Sequence, residues 1–195
     1  MAVNLTKGQK VDLTKGNAGL KKVMVGLGWD EAQKKGLFSR AQDIDCDAIA
    51  LMLRNGKLVD KADVVFYNNL RHPSNCVIHQ GDNLTGQGDG DDEQVLVFLQ
   101  DLPAVYDKIV FAVTIYQAYE RKQNFGLIKN AFIRIVDADT NRELCRFNLS
   151  DDQTYAARTA MIFGELYRYN GEWKFNAVGE GTNDGGVSQL IQRFA

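Results

Sequence analysis

The chain has 195 residues, of which 45% are hydrophobic and 25% are charged, and its formal net charge is -2. This length suits one domain of ordinary size, or at most two small ones, with a real hydrophobic core. The near balance of charge excludes a general attraction to nucleic acid or anionic lipid, and no run approaches the roughly 18 apolar residues of a membrane span.

The predicted elements are mostly short strands. In chain order, strands are predicted within residues 2–15 and 20–30, in a hairpin over 43–60 with its turn at Asn55-Gly56, and within 62–70, 93–100, 108–118, 131–149 and 161–179. The last range is the clearest hairpin, because Asn170-Gly171 is the dipeptide that a two-residue type I′ turn prefers. Short helices are predicted at 102–109, 154–160 and 187–194.

This pattern predicts a mainly β fold. Many short strands with regular turns are typical of a sandwich or a barrel, and no βαβ rhythm is visible. The chain contains two prolines and no linker-like segment. We therefore predict a single domain over residues 1–195.

The three cysteines are Cys46, Cys76 and Cys145. They are odd in number and far apart, so neither a disulfide framework nor a cysteine-based zinc site is expected. The first residues lack the apolar core of a signal peptide. These features predict a reduced, cytoplasmic protein.

The stretch GDNLTGQGDGDDE at residues 81–93 is the most distinctive of the chain. It combines five carboxylates with four glycines, and like charges held close together in a folded loop repel one another. Calcium binds carboxylate, carbonyl and hydroxyl oxygens in flexible geometry, whereas the absence of His and Cys argues against zinc and copper. The stretch therefore predicts a bound hard cation, with a solvated acidic surface loop as the alternative.

The stretch is not an EF-hand. Asp82 and Glu93 fit the first and twelfth positions of that pattern, but Leu84 and Gln87 stand where a ligand and a glycine belong. Further carboxylates could join the site, since Asp43, Asp45 and Asp47 alternate along a predicted strand and Asp30 ends a glycine-rich turn. For each of these alone, a strand-end or turn aspartate is the simpler interpretation.

No class-defining catalytic motif is present. His72 and His79 flank a segment that contains Cys76. This arrangement permits a Cys–His nucleophile pair, but a loop histidine and a buried cysteine are the favoured interpretation. We predict no catalytic residues.

Several stretches together resemble the TerD family of bacterial tellurium-resistance and stress proteins, in particular its TerD, TerE and TerZ members. They are VGLGWD (25–30), DIDCDA (43–48), HQGDNLTGQGDGDDEQ (79–94), FAVTIYQA (111–118), RKQNFG (121–126), IFGELYR (162–168) and EWKFNAVGEG (172–181). The resemblance spans nearly the whole chain, and the long acidic stretch makes it specific.

The resemblance implies a two-sheet β-sandwich with a few short helices that binds two calcium ions in the cytoplasm. The implied metal ligands are Asp30, Asp43, Asp45, Asp82, Asn83, Thr85, Gly86 through its carbonyl, Asp89, Asp91 and Glu93. Two departures leave the coordination open: Asp47 stands where the family commonly has serine, and Gln87 stands where it often has glutamate.

The expected function is a calcium-binding, non-catalytic sensor or scaffold in the stress response, associated with tellurite resistance. Its expected partners are other Ter-family or membrane-associated stress proteins at the inner face of the membrane, without membrane insertion and without nucleic acid. The alternative is a metal-dependent enzyme acting on a phosphate-containing or nucleotide substrate, since such chemistry uses clustered carboxylates. A third hypothesis is reduction of tellurite by the cysteine thiols.

Overall fold

The computed structural model describes residues 2–31, 44–81, 90–149 and 153–195. Within these ranges twelve strands form two sheets of six, so the prediction of a mainly β fold with two sheets is confirmed. The strands are β1 (Val3–Leu5), β2 (Lys10–Asp12), β3 (Lys22–Glu31), β4 (Cys46–Leu53), β5 (Val64–Val65), β6 (Val77–His79), β7 (Glu93–Phe98), β8 (Lys108–Ile115), β9 (Ile128–Asp137), β10 (Arg142–Asn148), β11 (Ala160–Tyr169) and β12 (Glu172–Thr182).

Helices are few and short. The two α-helices are α1 (Ala118–Arg121) and α2 (Val187–Leu190), and single 3-10 turns cover Lys61–Asp63, Phe125–Leu127, Gln153–Tyr155 and Ile191–Phe194. No helix among the described residues is long and apolar enough to cross a lipid bilayer.

The two sheets have related layouts. The first sheet has the order β1-β10-β9-β3-β7-β6, and the second has the order β2-β12-β11-β8-β4-β5. Every pairing is antiparallel except the parallel contact between β1 and β10. The β3 strand lies between β9 and β7, which places the acidic end of β7 beside the glycines of β3.

The main core lies between the inner faces of the two sheets. Alternate residues of β3, β7 and β9 in the first sheet pack there with alternate residues of β4, β8 and β11 in the second. A second, smaller core covers the outer face of the second sheet, where Ile49, Leu51 and Val110 pack with Leu190 of α2. Both faces of β4 and β8 are therefore buried, which explains the apolar run at residues 109–113 of β8.

The β11–β12 hairpin forms as predicted. Asn170 and Gly171 have φ values of 53° and 79°, the left-handed conformation that a type I′ turn requires at both positions. By contrast, the hairpin predicted over 43–60 has only its first strand. Asn55-Gly56 does turn the chain, but the returning residues contribute a single bridge between Arg54 and Lys57.

The prediction of a helix at 102–109 is wrong, because residues 102–107 form turns and β8 begins at Lys108. The helix predicted at 154–160 is reduced to a 3-10 turn that ends at Tyr155, since Ala160 already pairs with Thr114 and Thr182 in the second sheet. The predicted helix at 187–194 is present as α2 followed by a 3-10 turn.

Candidate metal centre

The end of β3 and the beginnings of β4 and β7 meet at one end of the sandwich. Leu27 pairs with Glu93 between β3 and β7, and the Asp92 amide donates to the Leu27 carbonyl at 2.8 Å. The Ala48 amide of β4 donates to Glu93 Oε2 at 2.5 Å, which ties the second sheet to the first. We call this region the acidic end; its described carboxylates are Asp30, Asp45, Asp91, Asp92 and Glu93.

Two glycines of β3 make room for this arrangement. A Cβ added at residue 26 would overlap the carboxyl group of Asp91. A Cβ added at residue 28 would overlap the ring of Phe132 and lie 2.8 Å from the Gly90 carbonyl oxygen. The glycines of the VGLGWD stretch therefore let the acidic segment lie directly against the sheet.

Asp91 is held by a bidentate ion pair. Arg134 of β9 donates from Nε to Oδ1 at 2.6 Å and from Nη2 to Oδ2 at 3.0 Å. The Gln94 side-chain amide adds a third hydrogen bond at 3.1 Å, and the Asp91 side chain is fully buried. This paired geometry fixes the carboxylate where the acidic segment enters β7.

Asp92 lies beside other carboxylates. Its Oδ2 accepts a hydrogen bond from the Trp29 amide at 2.7 Å. Burial raises the pKa of Asp92, and the nearby charges of Asp30 and Asp91 raise it further, against the opposing effect of the Trp29 hydrogen bond. The next carboxylate, Asp30, accepts from the Asn130 side-chain amide at 2.6 Å.

Glu93 points into the core. It is 2% exposed, and its Oε2 lies 3.4 Å from Nε2 of the buried His79. The same face of β7 carries Val95 and Val97, so the alternation of the strand dictates this inward direction. Glu93 therefore connects β7, β6 and β4 at the acidic end.

The ten predicted ligands divide into two groups. Asp30, Asp45, Asp91 and Glu93 are among the described residues, whereas the other six lie outside them: Asp43, Asp82, Asn83, Thr85, Gly86 and Asp89. Within the described ranges, no group of three or more His, Cys, Asp or Glu side chains could hold a metal ion. Metal binding by this set stays a prediction.

Asp92 was absent from the predicted ligands, although it is one of the five carboxylates of the acidic stretch. The alternation of β7 does not predict its position, because Glu93 faces the core whereas Asp91 lies over Gly26 and pairs with Arg134 on the other face of the sheet. The Asp92 carboxylate instead accepts from the Trp29 amide and lies near Asp30.

The three cysteines are buried. Burial, followed by the charges of Asp47, Glu93, Asp45 and Asp92, raises the pKa of Cys46 well above its ordinary value. Burial raises the pKa of Cys145 to about 12. Because the thiolate is the reactive form, this environment gives no support to tellurite reduction by these two residues.

Cys76 is buried, as the favoured interpretation expects, and its contacts are with backbone carbonyl groups. The Cys76 thiol donates to the carbonyl oxygens of Ser74 and Asp101, at 3.3 and 3.2 Å. His72 instead contacts Ser74 Oγ through Nδ1, at 2.7 Å, and Asp63 through Nε2, at 3.1 Å. Cys76 is thus a buried residue that satisfies local carbonyl groups.

A buried polar network lies apart from the acidic end and was not predicted. Asp63 Oδ1 accepts from the Tyr106 hydroxyl at 2.6 Å and lies 3.1 Å from His72 Nε2, and its Oδ2 lies 3.1 Å from Arg54 Nη2. We call Arg54, Asp63, His72 and Tyr106 the Asp63 network. It joins the end of β4 to the turns before β6 and β8.

A cavity of about 250 Å³ adjoins the acidic end. Asp30, Arg134 and Arg146 line it together with Trp29, Gly90, Asn130 and Phe132. The Arg146 guanidinium lies 3.6 Å from the centre of the Phe132 ring, within the range of a cation–π contact. Two arginines therefore stand next to a carboxylate that is a predicted metal ligand.

Comparison with known proteins gives a consistent result. The TerD domain family matches residues 1–194. The chain is 51% identical to stress response protein SCP2 of Bacillus subtilis (strain 168) over 200 residues, covering all of both chains. It is 48% identical over 193 residues to tellurium resistance protein TerD of Serratia marcescens, covering 98% of this chain and 97% of that protein.

A solved structure shares the fold. It is the crystal structure of a homologue of telluride resistance protein (TerD) from Streptomyces coelicolor A3(2), with a TM-score of 0.64 and 24% sequence identity. The match covers 85% of this chain and 92% of that chain.

Proposed function

Since the chain belongs to the TerD family, we propose that it is a calcium-binding stress-response protein associated with tellurite resistance. Its relatives at about half identity are named for the stress response and for tellurium resistance. The proposal includes a non-catalytic role as sensor or scaffold, in the cytoplasm or peripherally at the inner face of the membrane. Its partners would be other Ter-family or membrane-associated stress proteins.

The observation that supports the calcium proposal is that Asp30 and Asp91 lie near Asp92, where the acidic segment enters β7 beside the end of β3. Burial and the neighbouring charges of Asp30 and Asp91 raise the pKa of Asp92, so negative charge there is costly without a cation. Carboxylate oxygens are the donors that calcium prefers. The nearby thiol of Cys46 is buried and protonated, which disfavours a soft metal.

Asp30, Asp45 and Asp92 would provide oxygen ligands from the described residues, joined by the predicted ligands of residues 82–89. Asp91 and Glu93 already bind Arg134 and the Ala48 amide, respectively. A carboxylate offers about four acceptor positions, so these contacts orient the two groups and still leave acceptor positions for a cation. Calcium would supply positive charge that holds the three strand ends together.

Calorimetric titration of chelator-treated protein tests this proposal. We expect saturable binding of calcium that persists in excess magnesium, and a higher Tm, because calcium at about 100 times Kd adds roughly 2.7 kcal/mol to the free energy of unfolding.

Asp92→Asn keeps an acceptor for the Trp29 amide but loses the charge. We expect it to weaken calcium binding by at least about tenfold, a change of roughly 1.4 kcal/mol.

Asp139→Asn is the matched control, since this aspartate is 45% exposed and pairs with Lys22 at the other end of β3. Its calcium affinity should equal that of the wild-type protein. Absence of binding heat together with an unchanged Tm would refute the calcium proposal. Equal loss of affinity in both variants would place the binding site elsewhere.

The cavity beside the acidic end favours a second candidate function, a metal-dependent enzyme for a phosphate-containing or nucleotide substrate. Arg134 and Arg146 line this cavity next to Asp30, and arginine binds phosphate oxygens in a bidentate manner. A metal ion and an arginine pair together could hold such a substrate.

A panel of phosphoesters and nucleotides, assayed with calcium, magnesium or manganese, tests this second function. If the chain is such an enzyme, we expect turnover that falls by about 100-fold in Arg146→Gln, the scale for losing one charge contact to a transition state. Arg142→Gln, which alters an exposed residue at the start of β10, should retain activity. No turnover with any metal would leave the non-catalytic function.

A further inference from the structure

A cleft of about 620 Å³ lies on the outer face of the second sheet, where β4 begins and β8 ends. Asp47 and Thr114 form its floor and are direct partners across these two strands. They are 5% and 1% exposed and share the face of the sheet that carries Ile49 and Ala112. The cleft is therefore separate from the core between the sheets.

The C-terminal segment covers the rest of this face but leaves the cleft open. Leu190 of α2 packs into the second core, whereas Gly185 and Gly186, just before α2, line the cleft. A Cβ at residue 185 would lie 2.8 Å from the Tyr119 ring, and Gly186 has a φ of 155°. Two consecutive residues that require glycine thus form a wall without side chains.

The walls indicate the kind of ligand. Two carboxylates line the cleft, Asp47 and Glu120, against one ammonium group, Lys61. Phe66, Tyr67 and Tyr116 line it as well, and the first two rings are in edge contact with centroids 5.1 Å apart. Carboxylates beside aromatic rings favour a cation and disfavour an anion.

Tyr116 is already in a cation–π contact with Arg121, whose guanidinium lies 4.9 Å from the centre of its ring. The attraction for a ligand cation therefore comes from the two carboxylates and from the rings of Phe66 and Tyr67. The volume of the cleft falls within the range that accommodates small organic ligands, and its apolar walls with a few polar groups are typical of such sites.

We propose that this cleft binds a small organic amine. The protonated nitrogen lies near Asp47 and Glu120, and the apolar body of the ligand packs against Phe66, Tyr67 and Tyr116. The cleft lies on the outer face of the second sheet, and Tyr116 in its wall donates its amide to the carbonyl of Asp45, a predicted calcium ligand, so the test is made without calcium.

Amide NMR titration with tyramine tests this proposal, with para-hydroxyphenylacetate as a probe that has the same ring and the opposite charge. Both titrations are run with a chelator present, so that calcium binding does not affect the outcome. We expect tyramine to cause saturable shifts at Thr114, Gln117, Gly185 and Gly186. The anion should cause none.

Two variants localise the site. Glu120→Gln alters an exposed residue of α1, and we expect it to weaken tyramine binding by about tenfold, the effect of losing one charge-assisted contact. Ser188→Trp fills the cleft from an exposed position and should abolish binding. Glu172→Gln is the control. Glu172 begins β12, whereas Gly185 follows the end of that strand, so this variant should bind tyramine as the wild-type protein does.

Three results would overturn the proposal: no saturable shift with tyramine, equal binding of the anion, or undiminished binding by Ser188→Trp. Shifts that appear only at the acidic end would also overturn it, because they would assign tyramine to the carboxylates there.

Discussion

Replacing Gly26 with alanine is expected to destabilise the protein by about 3 kcal/mol and to weaken calcium binding in parallel. The added Cβ would overlap the carboxyl group of Asp91. That group cannot simply rotate away, because Arg134 holds both of its oxygens and its side chain is fully buried. Displacing it would leave the Arg134 guanidinium with one carboxylate fewer and would shift the start of β7.

Gly19→Ala is the matched control for this change. Gly19 has open space around the position of a Cβ and no left-handed φ, so alanine there should be neutral or stabilise the protein by about 0.5 kcal/mol. Urea unfolding of the two variants measures the difference, and calorimetry measures their calcium affinity. If Gly26→Ala unfolds at the same urea concentration as the wild-type protein, the close approach of Asp91 to β3 is wrong.

The sheets were largely predictable because their strands carry local signals. Residues 109–113 are all apolar, which matches a strand buried on both faces, and Asn170-Gly171 specifies its own hairpin turn. The helix at 102–109 was predicted wrongly because local propensity competes with pairing in a sheet. Lys108 and Ile109 pair with both β4 and β11, and that pairing outweighs any helical preference.

At the acidic end, the sequence predicted an acidic, glycine-rich segment but not the contacts that its side chains make. Carboxylates and glycines at residues 81–93 indicated a cation, but which carboxylates converge depends on the pairing of β3 with β7 and on the contact of Ala48 with Glu93. The partner of Asp91 could not be foreseen, since Arg134 is 43 residues away in the sequence. Long-range ion pairs leave no local pattern, and the same is true of the contacts between His72, Asp63 and Tyr106.

The Asp63 network, which the sequence did not predict, contributes to the stability of the folded protein. Burial raises the pKa of Asp63, but hydrogen bonds from Tyr106 and His72 and the charge of Arg54 outweigh it, so the net direction is downward. A carboxylate with a lowered pKa in the folded state stabilises the protein at every pH above its unfolded pKa of about 3.9. That contribution is lost as the pH falls through the lower, folded value.

Asp63→Asn should therefore cost about 3 kcal/mol at pH 7, because it removes the charge that Arg54 pairs with and leaves a buried amide facing hydrogen-bond donors. The cost should shrink as the pH falls below about 4, since the unfolded chain then takes up a proton at Asp63 first, and the folded protein follows only at its lower pKa. Urea unfolding at pH 7 and near pH 3 measures the cost of the substitution at each pH.

Asp139→Asn, which breaks only the surface pair with Lys22, should change stability by less than about 1 kcal/mol at either pH. If Asp63→Asn is as mild as this control at neutral pH, the network makes no net contribution to the fold. If its cost is large but independent of pH, the loss comes from packing and hydrogen bonding and not from the charge.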